Sequence, residues 1–308
     1  MEAKKENILG TERIGKLLLS YSIPGIISML VNSIYNMVDQ IFIGQKIGYL
    51  GNAATSVTYP FVTIFLAIGL MISIGTAANV GLNLGRKEQE LADRTLGNGL
   101  MLAVVSSVIL VSFAQFTMTP MLKLFGATEV ILPYAVDYAR VYTIGVLFVT
   151  TAIVLNDEIK ADGHPAYAMV SMLSGAILNV FLDYIFIFPL EMGVKGAALA
   201  SILGQLLCMI VSLSYLPRFK MLHLHLKNLK PDPMIIKMIF LLGLPSFLTQ
   251  ISGLVMQIVM NNQAVRYGAE SIYGSEIPLT VFGIVMKVMA IMMAFIIGAD
   301  RSRSAPSA

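Results

Sequence analysis

Charge spacing constrains this chain more than any single motif does. Between Leu17 and Ile43 the only charged side chain is Asp39, and comparable gaps recur along the sequence. A hydrocarbon core of roughly 30 Å takes about 20 apolar residues per helical crossing. Eight stretches meet that length: Leu17–Ile43, Pro60–Leu84, Leu96–Thr119, Tyr134–Leu155, Ala166–Pro189, Gly196–Leu216, Met238–Gln263 and Ile277–Gly298. They are continuously apolar rather than alternating, so helices are expected and barrel strands are not. The composition agrees: of 308 residues, 56% are hydrophobic and only 13% charged. With a mean hydropathy of +0.78, that lies outside soluble usage. The expected fold class is all-α, a polytopic integral membrane protein with eight transmembrane helices.

Basic residues concentrate on the cytoplasmic side of membrane proteins. With the N-terminus inside, the inner segments hold Lys4, Lys5, Arg13, Lys16, Arg86, Lys87, Arg94, Lys160, Arg218, Lys220, Lys227, Lys230, Lys237, Arg301 and Arg303, while the outer loops hold only Lys46, Lys123, Lys195 and Arg266. Both termini are therefore expected in the cytoplasm. The first apolar run is too long for a signal-peptide core and no small-residue cleavage site follows it, so no cleavable signal is expected. The net charge of +3 reflects this asymmetry and gives no reason to invoke nucleic acid. Cys208 is the single cysteine, which excludes an internal disulfide and reads as a small core residue. His164, His223 and His225 lack the further ligands that a metal site needs, so neither a metal nor another cofactor is expected.

The longest polar stretch, "RFKMLHLHLKNLKPDP" at 218–233, separates six spans from two. The expected organisation is a six-helix lobe over 1–217, a cytoplasmic linker over 218–237 and a second, incomplete lobe over 238–308. "LSYSIPGIISMLVNSIYNMVDQI" from Leu19 overlays "FLLGLPSFLTQISGLVMQIVMNN" from Phe240, with Pro24 on Pro245, and the following spans share an Ile-Gly at Ile74-Gly75 and Ile297-Gly298. Internal repeats of this kind are a sign of secondary transporters. After the second Ile-Gly the chain reads "ADRSRSAPSA", so the second repeat is expected to be cut after two of its six spans.

An ionised side chain at mid-membrane costs about 2.5–3.5 kcal/mol on insertion scales, so each one calls for an explanation. Asp137 and Arg140, three apart, are expected to neutralise each other on one helix face. Lys287 has no carboxylate on its own helix, and either lines a cavity or pairs with another span. No basic residue stands three or four positions from Asp39 or Asp183. Spans one and five both run outward, and both aspartates lie past their middles, so they belong at similar depth in the outer half. Asn179, one turn before Asp183, shares its face. Ser201 and Tyr138, on inward-running spans, fall at the same level. Such a group could exchange a proton or hold a sodium ion; the competing reading is that each aspartate caps a helix end or faces outer water. In the last two spans, Gln257, Asn261 and Lys287 are candidates for lining a cavity. Without further helices to pack against, these groups, with Gln250 and Asn262, would face lipid or water.

"LLLSYSIPGIISMLVNSIYNMVDQIFIGQKIG", "LNDEIKADGHPAYAMVSMLSGAILNVFLDYIFIF" and "GVKGAALASILGQ" resemble the multidrug and toxic compound extrusion (MATE) family, in its bacterial DinF-like and MepA-like branch. The resemblance runs from about Ile8 to Gly298 and implies twelve helices in two lobes around a cavity. It implies export of cationic, amphipathic drugs across the bacterial plasma membrane, in exchange for protons or sodium, by alternating access. Carried over residue by residue, it makes Asp39, Asn179, Asp183, Ser201 and Tyr138 the cation-coupling site, and Pro24 the place where the first helix bends. Relatives continue for four more helices where this sequence ends, so the truncated chain is expected to be inactive alone. The oligomeric state is not indicated. Two other readings remain: a lipid or polysaccharide flippase of the same superfamily, whose cavity would carry more basic residues, and a membrane-embedded prenyltransferase. The latter needs aspartate-rich clusters for magnesium, to which Asp157, Glu158 and Asp162 come nearest.

Overall fold

The structure, a computed structural model, describes the backbone of residues 14–301 and the side chains of that range except 14–22, 226, 287, 290, 291 and 293–301. Among the described residues every regular element is helical: α1 (Ile14–Lys46), α2 (Tyr49–Gly85), α3 (Gln89–Leu124), α4 (Leu132–Tyr142), α5 (Val146–Ala161), α6 (Pro165–Ile187), α7 (Gly193–Leu213), α8 (Pro233–Ala269) and α9 (Glu276–Arg301), with short 3-10 turns between some of them. A helix satisfies its own backbone polar groups, the condition for crossing hydrocarbon. Seven helical passages are long and apolar enough to span, α4 and α5 counting as one, and α9 is apolar through Met286.

Several helices run past the apolar stretches that signal them. Residues 49–59, expected in an outer loop, form the first three turns of α2 and are mostly buried. Their polar side chains are satisfied locally: the Thr58 hydroxyl donates to the Ala54 carbonyl at 2.8 Å and Ser56 to Asn52 at 2.9 Å. The fourth passage is interrupted instead, by a 3-10 turn at Thr143–Gly145. There the Arg140 carbonyl, freed by the break, accepts from the Gln115 amide at 3.1 Å and the Thr143 hydroxyl at 3.2 Å. α1 continues as one helix through Pro24, whose ring removes the amide needed one turn back and whose own carbonyl is taken by the Ser28 hydroxyl at 2.7 Å.

α2 is the central helix, packing against α3, α5, α8 and α9. Where it crosses α8, Gly75 faces the Ile239 carbonyl and Gly243 faces the Met71 carbonyl, so closely that a Cβ at either glycine would enter the opposing backbone. Towards the other end of α8, the Asn261 amide donates to the Ser56 and Phe125 carbonyls at 3.4 and 3.3 Å and Gln257 donates to Asn261 at 3.1 Å. Beside Phe125, Gly126 turns the chain out of α3 with φ +102° against Asn261, a conformation that disfavours a side chain. The expectation that these polar groups meet lipid or water is therefore corrected: Gln257 and Asn261 are buried, held against the first six spans. Asn262 is exposed but donates to the Leu124 carbonyl at 2.9 Å. The Lys287 side chain lies outside the described residues.

The segment expected as a linker is pinned to the bundle. Asp162, at the end of α5, accepts from the Tyr215 hydroxyl at 2.8 Å and from the amides of Lys220 and Met221 at 3.1 and 2.8 Å. Asp93 accepts from the His223 amide at 2.8 Å. Asn98, fully buried, accepts from the Asp232 amide at 2.9 Å and donates to the Lys230 carbonyl at 3.2 Å. Asp232 pairs with Arg94 at 2.8 Å and caps α8 through the Met234 amide.

This packing can be tested at two places. Gly75→Ala or Gly243→Ala should destabilise the detergent-solubilised protein by about 1–3 kcal/mol, the usual cost of overpacking, whereas Gly81→Ala, with open space around it, should melt like the wild type. Asp162→Ala removes a charged acceptor from three donors and should cost about 3 kcal/mol. Limited proteolysis should then cut between Arg218 and Asp232, where the wild type resists.

Candidate functional site

Asp39 on α1 and Asp183 on α6 are both buried, at 7% and 0% exposure. α1 packs on α6, and each carboxylate lies within electrostatic reach of the other. Neither oxygen of Asp183 has a hydrogen-bond partner among the described residues. One turn below, the Asn179 amide donates to the Ser201 hydroxyl on α7 at 3.3 Å, leaving its own Oδ1 without a partner. Helical spacing explains the grouping, because residues four apart stack on one face and the polar face of α6 meets α7, on which Gly204 fits against the α6 backbone at Gly175.

Tyr138, from α4, is buried and feels the charges of both aspartates. Its ring stacks on Tyr142, with centroids 5.6 Å apart and planes at 16°. Two further tyrosines were not singled out by the sequence: Tyr142 and Tyr35, both within reach of Asp39's charge. The signal existed, since Tyr35 precedes Asp39 by one turn and Tyr142 follows Tyr138 by one turn. The five residues expected at one level are thus brought together by α1, α4, α6 and α7. This cluster offers three acceptor oxygens, two from Asp183 and one from Asn179, inside a ring of phenols and hydroxyls. Such an arrangement can take up a proton, or bind a small hard cation through oxygen.

The remaining charges sort differently from expectation. Asp137 pairs with Lys195 at 3.3 Å rather than with Arg140, and both partners are about half exposed. The partner comes from the start of α7, which helix periodicity within one span cannot reveal. At the same end Lys46 contacts Glu191 at 2.7 Å, and its hydrogen bond and charge hold that carboxyl below the usual range. Gln40, beside Asp39 in sequence, turns to α2, where it bonds Asn52 and accepts from Thr55 at 3.2 Å. A cavity of about 230 Å³ opens next to it between α1 and α9, walled by Met37, Ile41, Ile284 and Val288 and floored by Gln40 and Asn52. It is separate from the two aspartates, which do not line it. The acids Asp157 and Asp162 are already engaged, Asp157 by Lys160 at 2.9 Å and Ser73 at 2.6 Å. Among the described residues no cluster of three or more His, Cys, Asp or Glu is arranged to hold a metal.

A family model described as MatE matches residues 24–185, more than half of the chain. The multidrug export protein MepA of Staphylococcus haemolyticus is 28% identical over 280 residues, covering 87% of this chain and 60% of that protein. The solved structure of the MATE multidrug transporter DinF-BH is 37% identical and superposes with a TM-score of 0.87, covering 97% of this chain and 66% of that one. A structure described as the outward-facing conformation of a multidrug resistance MATE family transporter aligns with a TM-score of 0.83 at 25% identity, over 98% of this chain and 66% of that one. The chain therefore spans about 60% of the length of the curated relatives it matches. Its all-helical, multi-pass bundle and the family model that covers most of its first six spans lead to one assignment: the chain belongs to the MATE family, in its bacterial branch, a family of transporters and not of enzymes.

Proposed function

We propose that this chain carries the cation-coupling half of a drug exporter that exchanges protons or sodium for cationic, amphipathic compounds. The observation that carries the reading is Asp183: a carboxylate at 0% exposure, neither of whose oxygens has a partner among the described residues, facing a second carboxylate on α1. A buried, unsatisfied charge is costly, and it is expected where a site must bind and release an ion. In this reading the start of α1 is cytoplasmic, as the distribution of lysine and arginine favours. The acidic cluster then lies in the outer half of the membrane, where external cations reach it.

Exchange requires only that cation and drug favour different states or compete for one site. Cation binding at Asp39 and Asp183 neutralises the cluster and favours the state that releases drug outward. Release of the cation inward restores the negative charge that attracts the next cationic drug. The second lobe moves against the first; α8, held to α2 through Gly75, Gly243 and Asn261, and α9, held to α2 through the Thr280 hydroxyl on the Tyr49 carbonyl, are its attachment. The names of the relatives, multidrug export protein and multidrug transporter, support the substrate class.

In cells expressing the transporter at the length of its relatives, Asp39→Asn or Asp183→Asn should lower gradient-driven ethidium export by about tenfold or more, with membrane insertion unchanged. Wild-type export in both variants would remove the assignment. Asn179→Ala should weaken the apparent ion affinity more than Ser201→Ala, because the amide oxygen shares a helix face with Asp183 while the hydroxyl acts through the amide. Measuring export against pH at fixed sodium, and against sodium at fixed pH, separates the two coupling ions. An ion dependence untouched by either substitution would place the site elsewhere.

A further inference from the structure

The Asp183 oxygens and Asn179 Oδ1 are not the only buried atoms without a hydrogen-bond partner among the described residues. On α5, Thr151 Oγ1, Asn156 Oδ1 and both carboxylate oxygens of Glu158 are buried with no hydrogen-bond partner among the described residues, and Glu158 is 0% exposed. α5 and α6 pack against each other and both pack against α7. Depths follow from the helical rise of about 1.5 Å per residue. Measured from the end of the bundle where α5 stops and α6 begins, Glu158 lies at about 5 Å, Asn156 at about 8 Å, Thr151 at about 15 Å, Asn179 at about 21 Å and Asp183 at about 27 Å. On α5, Thr151 and Glu158 are seven residues apart and share a face, whereas Asn156 points to another side of the helix, where its amide meets Cys208; along the axis the orphaned oxygens of Asp183, Asn179, Thr151 and Glu158 are therefore separated by steps of about 6, 6 and 10 Å. α7 adds polar groups at intermediate depths: Ser201 on Asn179 at 3.3 Å, Cys208 Sγ on Asn156 at 3.6 Å, and Ser212 on Ser171 at 2.7 Å. Buried polar atoms are normally paired or hydrated, so each of these unpartnered oxygens marks a place for water.

We propose that Glu158 is a second protonation site of this lobe, the inner terminus of a proton path whose outer terminus is Asp183; this rests on the exchanger reading with a proton as the coupling ion. A proton leaves the Asp183 carboxyl for water held at Asn179 and passes by water past Thr151. It neutralises the Glu158 carboxylate and is then released to cytoplasmic water, which regenerates the carboxylate. The drug never needs to share this route. The surroundings of Glu158 fit a group that changes charge alone. Asp157 and Asp162 act on it from its own end of α5, but Asp157 is engaged by Lys160 and Ser73 and Asp162 by Tyr215 and two backbone amides. The elements that pack on α5 carry, towards this end, Asp93 and Arg94 on α3, Arg86 and Lys87 after α2, His164 and Tyr167 at the start of α6, and Cys208 on α7. Of these, Arg94 is paired with Asp232, Asp93 accepts from Gln89 at 3.0 Å, and Tyr167 bonds Ser214 at 2.8 Å.

The test is an infrared titration of the purified full-length transporter, reading the carboxylic acid carbonyl band, followed by export from vesicles in which inner and outer pH are set independently. The wild type should lose that band in resolved steps as pH rises, with Asp39, Asp183 and Glu158 among the buried contributors. Glu158→Gln should remove one step and Asp183→Asn a different one, and Glu158→Asp, which keeps the acid should the amide fold poorly, should shift its step without removing it. In vesicles, Glu158→Gln should displace the dependence of export on cytoplasmic pH by about tenfold in proton concentration or more, leaving the dependence on external pH in place. A Glu158→Gln titration that superimposes on the wild type would overturn the proposal. If the wild type exports nothing under a gradient while Glu158→Gln still removes a step, the exchanger reading falls and the protonation site stands.

Discussion

A carboxylate inside hydrocarbon must be neutralised, paired or hydrated, and the first lobe of this protein is arranged around two of them. Asp39 and Asp183 come from helices that pack directly on each other, and their neighbours are phenols from α4, the Asn179 amide of α6 and a hydroxyl from α7 rather than lysine or arginine. A cationic side chain there would form a stable buried ion pair, and breaking such a pair is strongly unfavourable. Surroundings of phenols, an amide and a hydroxyl avoid that cost, which is what the proposed cation exchange requires. Outside the cluster, the Asp137–Lys195 and Lys46–Glu191 pairs lie where water reaches them.

The rest of the bundle makes that site transmissible. α2 touches α3, α5, α8 and α9, and its crossing with α8 brings backbone against backbone at Gly75 and Gly243. Close-packed helices move as units rather than deforming continuously, so a change at α1 or α6 can reach α8 and α9 as a displacement. The connection between the sixth and seventh passages is fastened by Asp162, Asp93 and Asn98, which ties the start of α8 to the ends of α3 and α5.

Much of this was legible in the sequence. Long uncharged runs gave the crossings, and helical spacing put Asn179 on the face of Asp183. Counting depth along spans of alternating direction brought Tyr138 and Ser201 to the same level. What was missed depends on contacts between distant segments. The partner of Asp137 starts a helix two passages later, and nothing in its own span points there. Residues 49–59 read as a loop because glycine, asparagine, serine and threonine lower the hydropathy, yet these side chains bond within the helix and Gln40 reaches them from α1. Gln257 and Asn261 read as groups facing lipid or a cavity, because the carbonyls of Ser56 and Phe125 that bury them lie far back in the chain. Glu158 was noted only as part of an acidic run, since its isolation from partners is a property of packing.

The central claim is that cation and drug oppose each other through the acidic cluster. The most direct test is to add ethidium to the purified transporter in weakly buffered solution while following proton release, and sodium release in parallel. The account predicts release of about one cation per drug bound, lost in Asp183→Asn. Drug binding that displaces neither ion, with an affinity independent of pH and sodium, would contradict it.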